Sequence, residues 1–312
     1  MRRLLQAALT MALAAGAIPG AEKLDPNPDA APDDQIRELF SEGVNLYRTG
    51  KYDEAALRFK DALKLDPPNR LVFEFYRRMG DRLLLDMQER AELEDVLRDV
   101  LRKARIYHKQ LRTDPRYIEL LIEKLRATEK ERLAATLELV AIGPIAVPHL
   151  VDKLHDSRQE EYRTWCRGVL SRMGYRAVVP LIEALKAKDD RLTASVATIL
   201  ADIGDPRALP RLQLMAAAEG TPEVLRRVCT NAISAIAARS AMAQVDPSDL
   251  LHFQEAMRYF RDGDQVRDEM VANESLMWTW VEEAGDGTMQ LQYVRAPRYA
   301  WNELMAEQIL FD

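Results

Sequence analysis

Apolar residues recur at intervals of three and four from Asp34 onward, which is the spacing of a helix that buries one face. One run ends at Gly50 and a second at Pro67, because glycine and proline interrupt helices. The two runs predict an αα-hairpin over residues 34–69. Their apolar positions are Ile36, Leu39, Phe40, Val44, Leu46 and Tyr47, then Tyr52, Ala55, Ala56, Phe59, Ala62, Leu63 and Leu65.

This hairpin resembles a tetratricopeptide (TPR) repeat. The family's small and aromatic positions are matched, within residues 36–69, by Gly43, Gly50, Tyr52, Ala55, Phe59, Ala62 and Pro67. Glu42 departs from the pattern, since the family usually has an apolar residue there. Ligands of the family lie against the first helix of each hairpin. The resemblance therefore implies a partner-binding face at Arg37, Phe40, Val44, Tyr47 and Arg48, unless Phe40 and Tyr47 pack on the next helix instead.

A single repeat of this kind cannot bury its core alone, so neighbouring helices must cover it. Residues 70–112 continue the helical periodicity without the small-residue signature of a second repeat. We interpret this segment as a divergent helical hairpin. One face of it carries Leu93, Val96, Leu97, Val100, Leu101 and Ala104.

A different repeat follows over residues 113–262. Gly143, Gly174 and Gly204 each end an apolar run, and a proline and a second apolar run follow each of them, at Pro148, Pro180 and Pro210. The pattern predicts a helix, a glycine stop, a short turn, and a second helix with proline near its start. Asp205 lies in this recurring turn, where the other copies have Pro144 and Tyr175, so we do not expect it to be catalytic.

The repeats at 113–262 resemble HEAT-like repeats of the bacterial, phycobilisome-lyase-related type. Their apolar columns are expected to face inward; they hold Leu139, Leu170, Leu200 and Ile233, and Ile142, Met173, Ile203 and Ile236. Cys166 and Cys229 share another column, two repeats apart. That places them on the order of 20 Å apart, too far for a disulfide. We expect two buried free thiols.

The segment 263–312 changes character. Apolar and polar residues alternate on both sides of a Gly-Asp-Gly turn, which predicts a β-hairpin. Trp278 and Trp280 are expected on one strand face, and Met289, Leu291 and Tyr293 on one face of the other strand. An exposed patch at Trp278, Trp280 and Tyr293 would bind a partner; alternatively, the patch packs as a cap on the end of the helical array. A further helix starts after it and is expected to continue to the last residue of the sequence.

The first 21 residues have Arg2 and Arg3, an apolar run and a small-residue zone, which is typical of a secretory signal peptide. A membrane anchor is the alternative, although Pro19 and Gly20 shorten the apolar run. Residues 22–33 are rich in proline and acidic residues and are interpreted as a linker. We expect no other segment to be long and apolar enough to span a membrane. The expected location is the periplasm or cell envelope of a bacterium.

The net charge of −6, with no basic block, argues against nucleic acid as a partner. No phosphate loop, nucleophile elbow or metal-ligand spacing is present, so we expect no catalytic residue, metal or other cofactor. The predicted fold is all-α, an αα-hairpin superhelix of TPR-like and then HEAT-like repeats, with a small C-terminal β-hairpin. The predicted function is a non-enzymatic scaffold for a protein or peptide. The alternatives are a lyase-type enzyme or its chaperone subunit, implied by the resemblance, and a purely structural envelope spacer.

Overall fold

The computed structural model describes residues 33–155, 160–242, 244–261, 264–272, 274–282 and 289–311. The predicted signal peptide, the linker up to residue 32 and the Gly-Asp-Gly turn lie outside these residues. The described residues form helices and one two-stranded sheet, which confirms the predicted fold class. They divide into two compact units, with the boundary between Tyr117 and Ile118.

The first unit consists of two helical hairpins. Its helices are α1 (Asp33–Arg48), α2 (Tyr52–Lys64), α3 (Asn69–Gln88) and α4 (Glu94–Leu111), and α5 (Pro115–Lys124) begins at its end. Helices α1 and α2 pack together, as do α3 and α4. Helix α3 is broken at Gly80, whose φ of 72° lies outside the helical region.

Aromatic rings fill the core between these hairpins. Phe40 of α1 stacks on Phe75 of α3 with the ring centroids 4.1 Å apart, and Phe59 of α2 lies 5.8 Å from Phe75. Gly43 allows α1 to approach α2, because a methyl group at this position would overlap the Phe59 ring. Glu42, the departure from the TPR pattern, lies outside the core and forms an ion pair of 3.2 Å with Arg58.

The second unit is an array of helix pairs, followed by the hairpin and one more helix. Its elements after α5 are α6 (Glu129–Ile142), α7 (Val147–His155), α8 (Glu160–Met173), α9 (Tyr175–Ala184), α10 (Asp190–Ile203), α11 (Leu209–Ala217), α12 (Glu223–Arg239), α13 (Ser248–Phe260), α14 (Asp264–Ala272), β1 (Leu276–Glu282), β2 (Met289–Arg295) and α15 (Trp301–Phe311). The first helices of successive pairs, α6, α8, α10 and α12, contact one another in sequence. The second helices form another layer, in which α7 contacts α9 and α11 contacts α13.

The predicted glycine stops are confirmed. Gly143, Gly174 and Gly204 have φ values of 75°, 61° and 79°, a region that side-chain-bearing residues rarely adopt. The proline positions are less uniform than predicted. Pro210 lies in the first turn of α11, whereas Pro180 lies inside α9, because α9 begins directly after Gly174.

The inward columns of the repeats are largely confirmed. Leu139, Leu170 and Leu200 are fully buried, while Ile203 and Ile233 are half-buried. Both cysteines are buried free thiols. Burial raises the pKa of the Cys166 thiol to about 12, so the reactive thiolate is disfavoured.

The expectation that no segment beyond the N-terminal one is long and apolar enough to span a membrane is wrong. By length and composition, the stretch Glu129–Leu154 is also apolar enough to cross a membrane. It comprises α6, a 3₁₀ turn and α7, and 61% of its most apolar 18-residue window is buried in the structure. Its apolar character is accounted for by its place in the core of the array.

Candidate functional site

The β-hairpin lies on the layer of second helices. Strand β1 packs against α9, and β2 packs against α7 and α9. These helices belong to the middle of the array. The expectation that the hairpin caps the end of the array is therefore wrong. The hairpin covers the middle of one layer, and α15 packs against α13.

The three aromatic residues predicted to form a patch have different surroundings. The antiparallel register pairs Trp278 with Tyr293 and Trp280 with Leu291, so all four side chains lie on one face of the hairpin. Trp278 is completely buried, and its ring centroid is 5.1 Å from that of Tyr293. Trp280 is half-buried and Tyr293 is 37% exposed. Of the three, Trp280 and Tyr293 are accessible to a partner.

A groove of ≈1150 Å³ is lined by residues of the hairpin and of the helical array. One wall is the hairpin and the other is formed by α5, α7 and the turn that leads into α10. The lining residues are Trp280, Gln290, Leu291, Gln292 and Tyr293 on the hairpin, and Glu119, Pro148, His149, Val151, Asp152 and residues 187–192 on the array. This groove, which we call the hairpin groove, is the candidate functional site.

Polar groups on the array side of the hairpin groove are held by short contacts. His149 Nδ1 lies 2.9 Å from Glu119 Oε1, and Lys153 Nζ lies 3.1 Å from Glu119 Oε2. Burial alone lowers the pKa of Lys153, but the hydrogen bond and charge of Glu119 outweigh it and raise the pKa. Asp189 caps α10 by accepting hydrogen bonds from the backbone N–H groups of Arg191 and Leu192.

The residues implied by the TPR resemblance lie in the first unit. Phe40 and Tyr47 are buried, and the Tyr47 hydroxyl donates a hydrogen bond of 3.1 Å to Asp86 of α3. The two rings therefore pack on the next helices, which was the alternative to a partner-binding role. Arg37, Phe40, Val44 and Arg48 line a smaller groove of ≈230 Å³ between α1 and α3. Glu74, Phe75, Arg78 and Met79 form the α3 side of that groove.

The sequence did not indicate a network of ion pairs that joins three segments of the second unit. Arg207 binds Asp205 with an Nη2–Oδ2 distance of 2.6 Å and Glu269 with an Nη1–Oε2 distance of 3.1 Å. Glu269 also accepts hydrogen bonds from Arg258 and from the hydroxyl of Tyr259. The Asp205–Arg207 pair could have been predicted, because the two residues are two positions apart. The pairing with Glu269 could not, because Glu269 is distant in the sequence.

Comparison with known families identifies the array. Residues 147–234 match the model of HEAT repeats. This part of the array is similar to HEAT repeats. The HEAT-like match covers α7 to most of α12, so it includes the array side of the hairpin groove and ends before the hairpin. Searches of curated proteins and of solved structures gave no match.

The described residues hold no group of three or more His, Cys, Asp or Glu side chains arranged to bind a metal ion. Asp205, which lies in the recurring turn of the repeats, caps the 3₁₀ turn Pro206–Ala208 by accepting a hydrogen bond from the Arg207 N–H. Its carboxylate is thus engaged in holding the turn between two helices of one repeat.

Proposed function

We propose that this protein is a non-enzymatic scaffold, exported to the bacterial envelope, that holds a protein or peptide partner in the hairpin groove. HEAT repeats commonly serve as protein-interaction surfaces. The observation that carries the proposal is the rim of the groove, where Trp280 and Tyr293 remain accessible while the neighbouring Trp278 is buried. Aromatic side chains at the edge of a concave site supply large contact area at low entropic cost.

The composition of the groove supports a polypeptide partner. Apolar surface from Pro148, Val151 and Leu291 is interspersed with charged and amide side chains. A polypeptide presents the same mixture of apolar side chains and hydrogen-bonding backbone. The volume of ≈1150 Å³ exceeds that of most sites for small ligands, about 300–1,000 Å³.

Export is supported by the N-terminal pattern of Arg2 and Arg3, an apolar run and small residues. We expect the full chain with a C-terminal tag, produced in a bacterial host, to be recovered from the envelope fraction with a mass below the 35.6 kDa of the complete sequence. Recovery from the cytosol at full mass would exclude export.

Site-specific photo-crosslinking tests the scaffold proposal. Gln292 and Val294 lie on the same face of β2, but only Gln292 lines the groove, so a photoreactive amino acid at Val294 serves as the matched control for one at Gln292. We expect one partner protein to be crosslinked from position 292 and not from position 294. The crosslink should decrease in a Trp280→Ala background.

Equal crosslinking from both positions would show that the groove is not the binding site. Absence of any crosslinked protein from position 292 in envelope extract of the native organism would contradict the scaffold proposal.

A further inference from the structure

The smaller groove of the first unit, which we call the α1–α3 groove, is bordered by matching stripes of residues on two helices. Residues at intervals of three and four lie on one face of a helix. The stripe on α1 is Ser41, Val44, Asn45 and Arg48, and the stripe on α3 is Leu71, Glu74, Phe75 and Arg78. The two stripes have the same spacing, and each ends on an arginine.

Helices α1 and α3 run in the same direction along the groove. Arg70 in the first turn of α3 contacts Asp33 in the first turn of α1, with an Nη2–Oδ2 distance of 3.2 Å. Further along both helices, Phe40 of α1 stacks on Phe75 of α3. Because the contacting residues advance together, the two arginines that end the stripes lie toward the same end of the groove.

The charges at the two ends of the groove differ. Where the helices begin, Arg37 and Arg70 both contact Glu74, at 3.6 Å and 3.2 Å, so the charges there are paired. At the other end, Arg48 and Arg78 are exposed, and neither side chain makes an ion pair or hydrogen bond with a residue that the structure describes. Glu74 is the only carboxylate among the described residues that line the groove. Two positive charges are therefore left for a ligand.

Apolar surface lies in the same groove as these arginines. Val44, Phe75 and Met79 line it and are only half-buried. An inorganic anion would contact the arginines and leave this apolar surface in water. A ligand that carries both carboxylates and apolar side chains would engage both kinds of surface.

The side chain of Asn45 favours a polypeptide as this ligand. Asn45 is exposed and lines the groove, and its amide has no hydrogen-bond partner within the described part of the chain. An amide side chain both donates and accepts hydrogen bonds, as a peptide group does. The groove of ≈230 Å³ is smaller than most sites for small ligands, about 300–1,000 Å³. It has room for a few side chains of a peptide segment.

We propose that the α1–α3 groove binds an acidic peptide segment of a partner protein, in which apolar residues are flanked by aspartate or glutamate. The carboxylates of the segment pair with Arg48 and Arg78, and its apolar side chains pack on Val44 and Met79. Asn45 binds its backbone. The proposal goes beyond the hairpin groove, which belongs to the second unit, and does not depend on it.

Fluorescence anisotropy with the full chain tests the chemistry of the occupant. The probes are a labelled heptapeptide of leucine and glutamate and the same peptide with glutamine in place of every glutamate. We expect the acidic peptide to bind at least about tenfold more tightly at low salt, because the two free arginines attract carboxylates, and salt should reduce the difference. Failure of the acidic peptide to bind, or equal affinity for both peptides, would overturn the proposal.

Substitution of the arginines tests the location. Arg48→Gln and Arg78→Gln remove charges that make no contact within the described residues, and Arg105→Gln, at an exposed arginine of α4 outside the groove, is the matched control. We expect the double variant at 48 and 78 to bind the acidic peptide about tenfold more weakly than the unmodified chain, and Arg105→Gln to stay within about twofold of it. An unchanged affinity of the double variant, or an equal loss in the control, contradicts binding in this groove. Urea denaturation verifies that all three variants remain folded.

Two further outcomes would assign a different site or occupant. Loss of peptide binding in Trp280→Ala, with the arginine variants unaffected, would place the peptide in the hairpin groove. Binding that appears only after Asp25→Asn and Asp29→Asn would make the chain's own acidic residues the occupant. Either outcome overturns the proposal. The crosslink expected from position 292 tests the hairpin groove separately, so failure at one groove is distinguishable from failure at the other.

Discussion

Trp278 and Trp280 are two residues apart on one face of β1 and differ in what covers them. Trp278 is fully buried beneath Tyr293, and its carbonyl is bound by Gln308 of α15. Trp280 is only half-buried and lines the hairpin groove. Tryptophan thus packs in the core at position 278 and lines the accessible rim of the groove at position 280.

Truncation of the two tryptophans should separate these roles. We expect Trp278→Ala to lower the free energy of unfolding of the second unit by about 3–5 kcal/mol, because it leaves a cavity in the core. Trp280→Ala should cost about 1 kcal/mol or less, since much of its surface is already in water. Urea denaturation followed by circular dichroism measures both. Equal losses would mean that the packing assigned to the two rings is wrong.

The Asp205 carboxylate makes stability dependent on pH. Burial alone raises its pKa, but the hydrogen bonds and charge of Arg207 outweigh burial and lower the pKa below its ordinary value of 3.8. Because the folded-state pKa is the lower one, the stabilisation is complete above the ordinary value and is lost as the pH falls through the folded-state pKa.

We therefore expect Asp205→Asn to destabilise the second unit by about 2 kcal/mol at pH 6, with the difference from the unmodified chain shrinking below about pH 4. Chemical denaturation at a series of pH values gives this difference directly. A difference that is constant down to pH 2.5 would show that the carboxylate is not selectively ionised in the folded state.

At the scale of elements, close approach between helices depends on a few small residues. Gly43 of α1 faces the Phe59 ring of α2 without room for a methyl group. Gly168 of α8 is also within a helix, but a methyl group there would meet nothing within 4 Å. Both glycines have a helical backbone, and only their tertiary surroundings differ.

Alanine at these two glycines should have opposite effects. Gly43→Ala is expected to destabilise the first unit by about 1–3 kcal/mol through overpacking. Gly168→Ala is expected to stabilise the second unit by about 0.5–1 kcal/mol, because alanine loses less conformational entropy in a helix. Thermal unfolding of the single variants compares them. A neutral Gly43→Ala would contradict the contact assigned between α1 and α2.

At the scale of the whole molecule, the repeat architecture keeps both cysteines buried. Cys166 and Cys229 occupy equivalent places in α8 and α12, and both are inaccessible to solvent. Burial raises the pKa of each thiol. Thiols buried in this way resist oxidation as long as the array stays folded.

Alkylation should report this protection. With the native chain, iodoacetamide at pH 8 is expected to add no carbamidomethyl groups, whereas the chain in guanidinium should accept two, one for each cysteine. Intact mass spectrometry counts the adducts. Labelling of the native chain would mean that the array opens readily, and absence of labelling in guanidinium would indicate a disulfide.

The sequence alone determined the helical repeats, their glycine boundaries and the C-terminal hairpin, because these depend on local periodicity and on backbone conformations that few residues adopt. It placed Trp278, Trp280 and Tyr293 on one hairpin face but did not distinguish core from rim, and it placed the hairpin at the end of the array. Tertiary structure decided that the hairpin covers α7 and α9, that α15 binds the edge of β1, and that Arg207 meets Glu269. Each of these contacts joins segments far apart in the chain, and their pairing depends on surface shape and charge that appear only when the elements have packed.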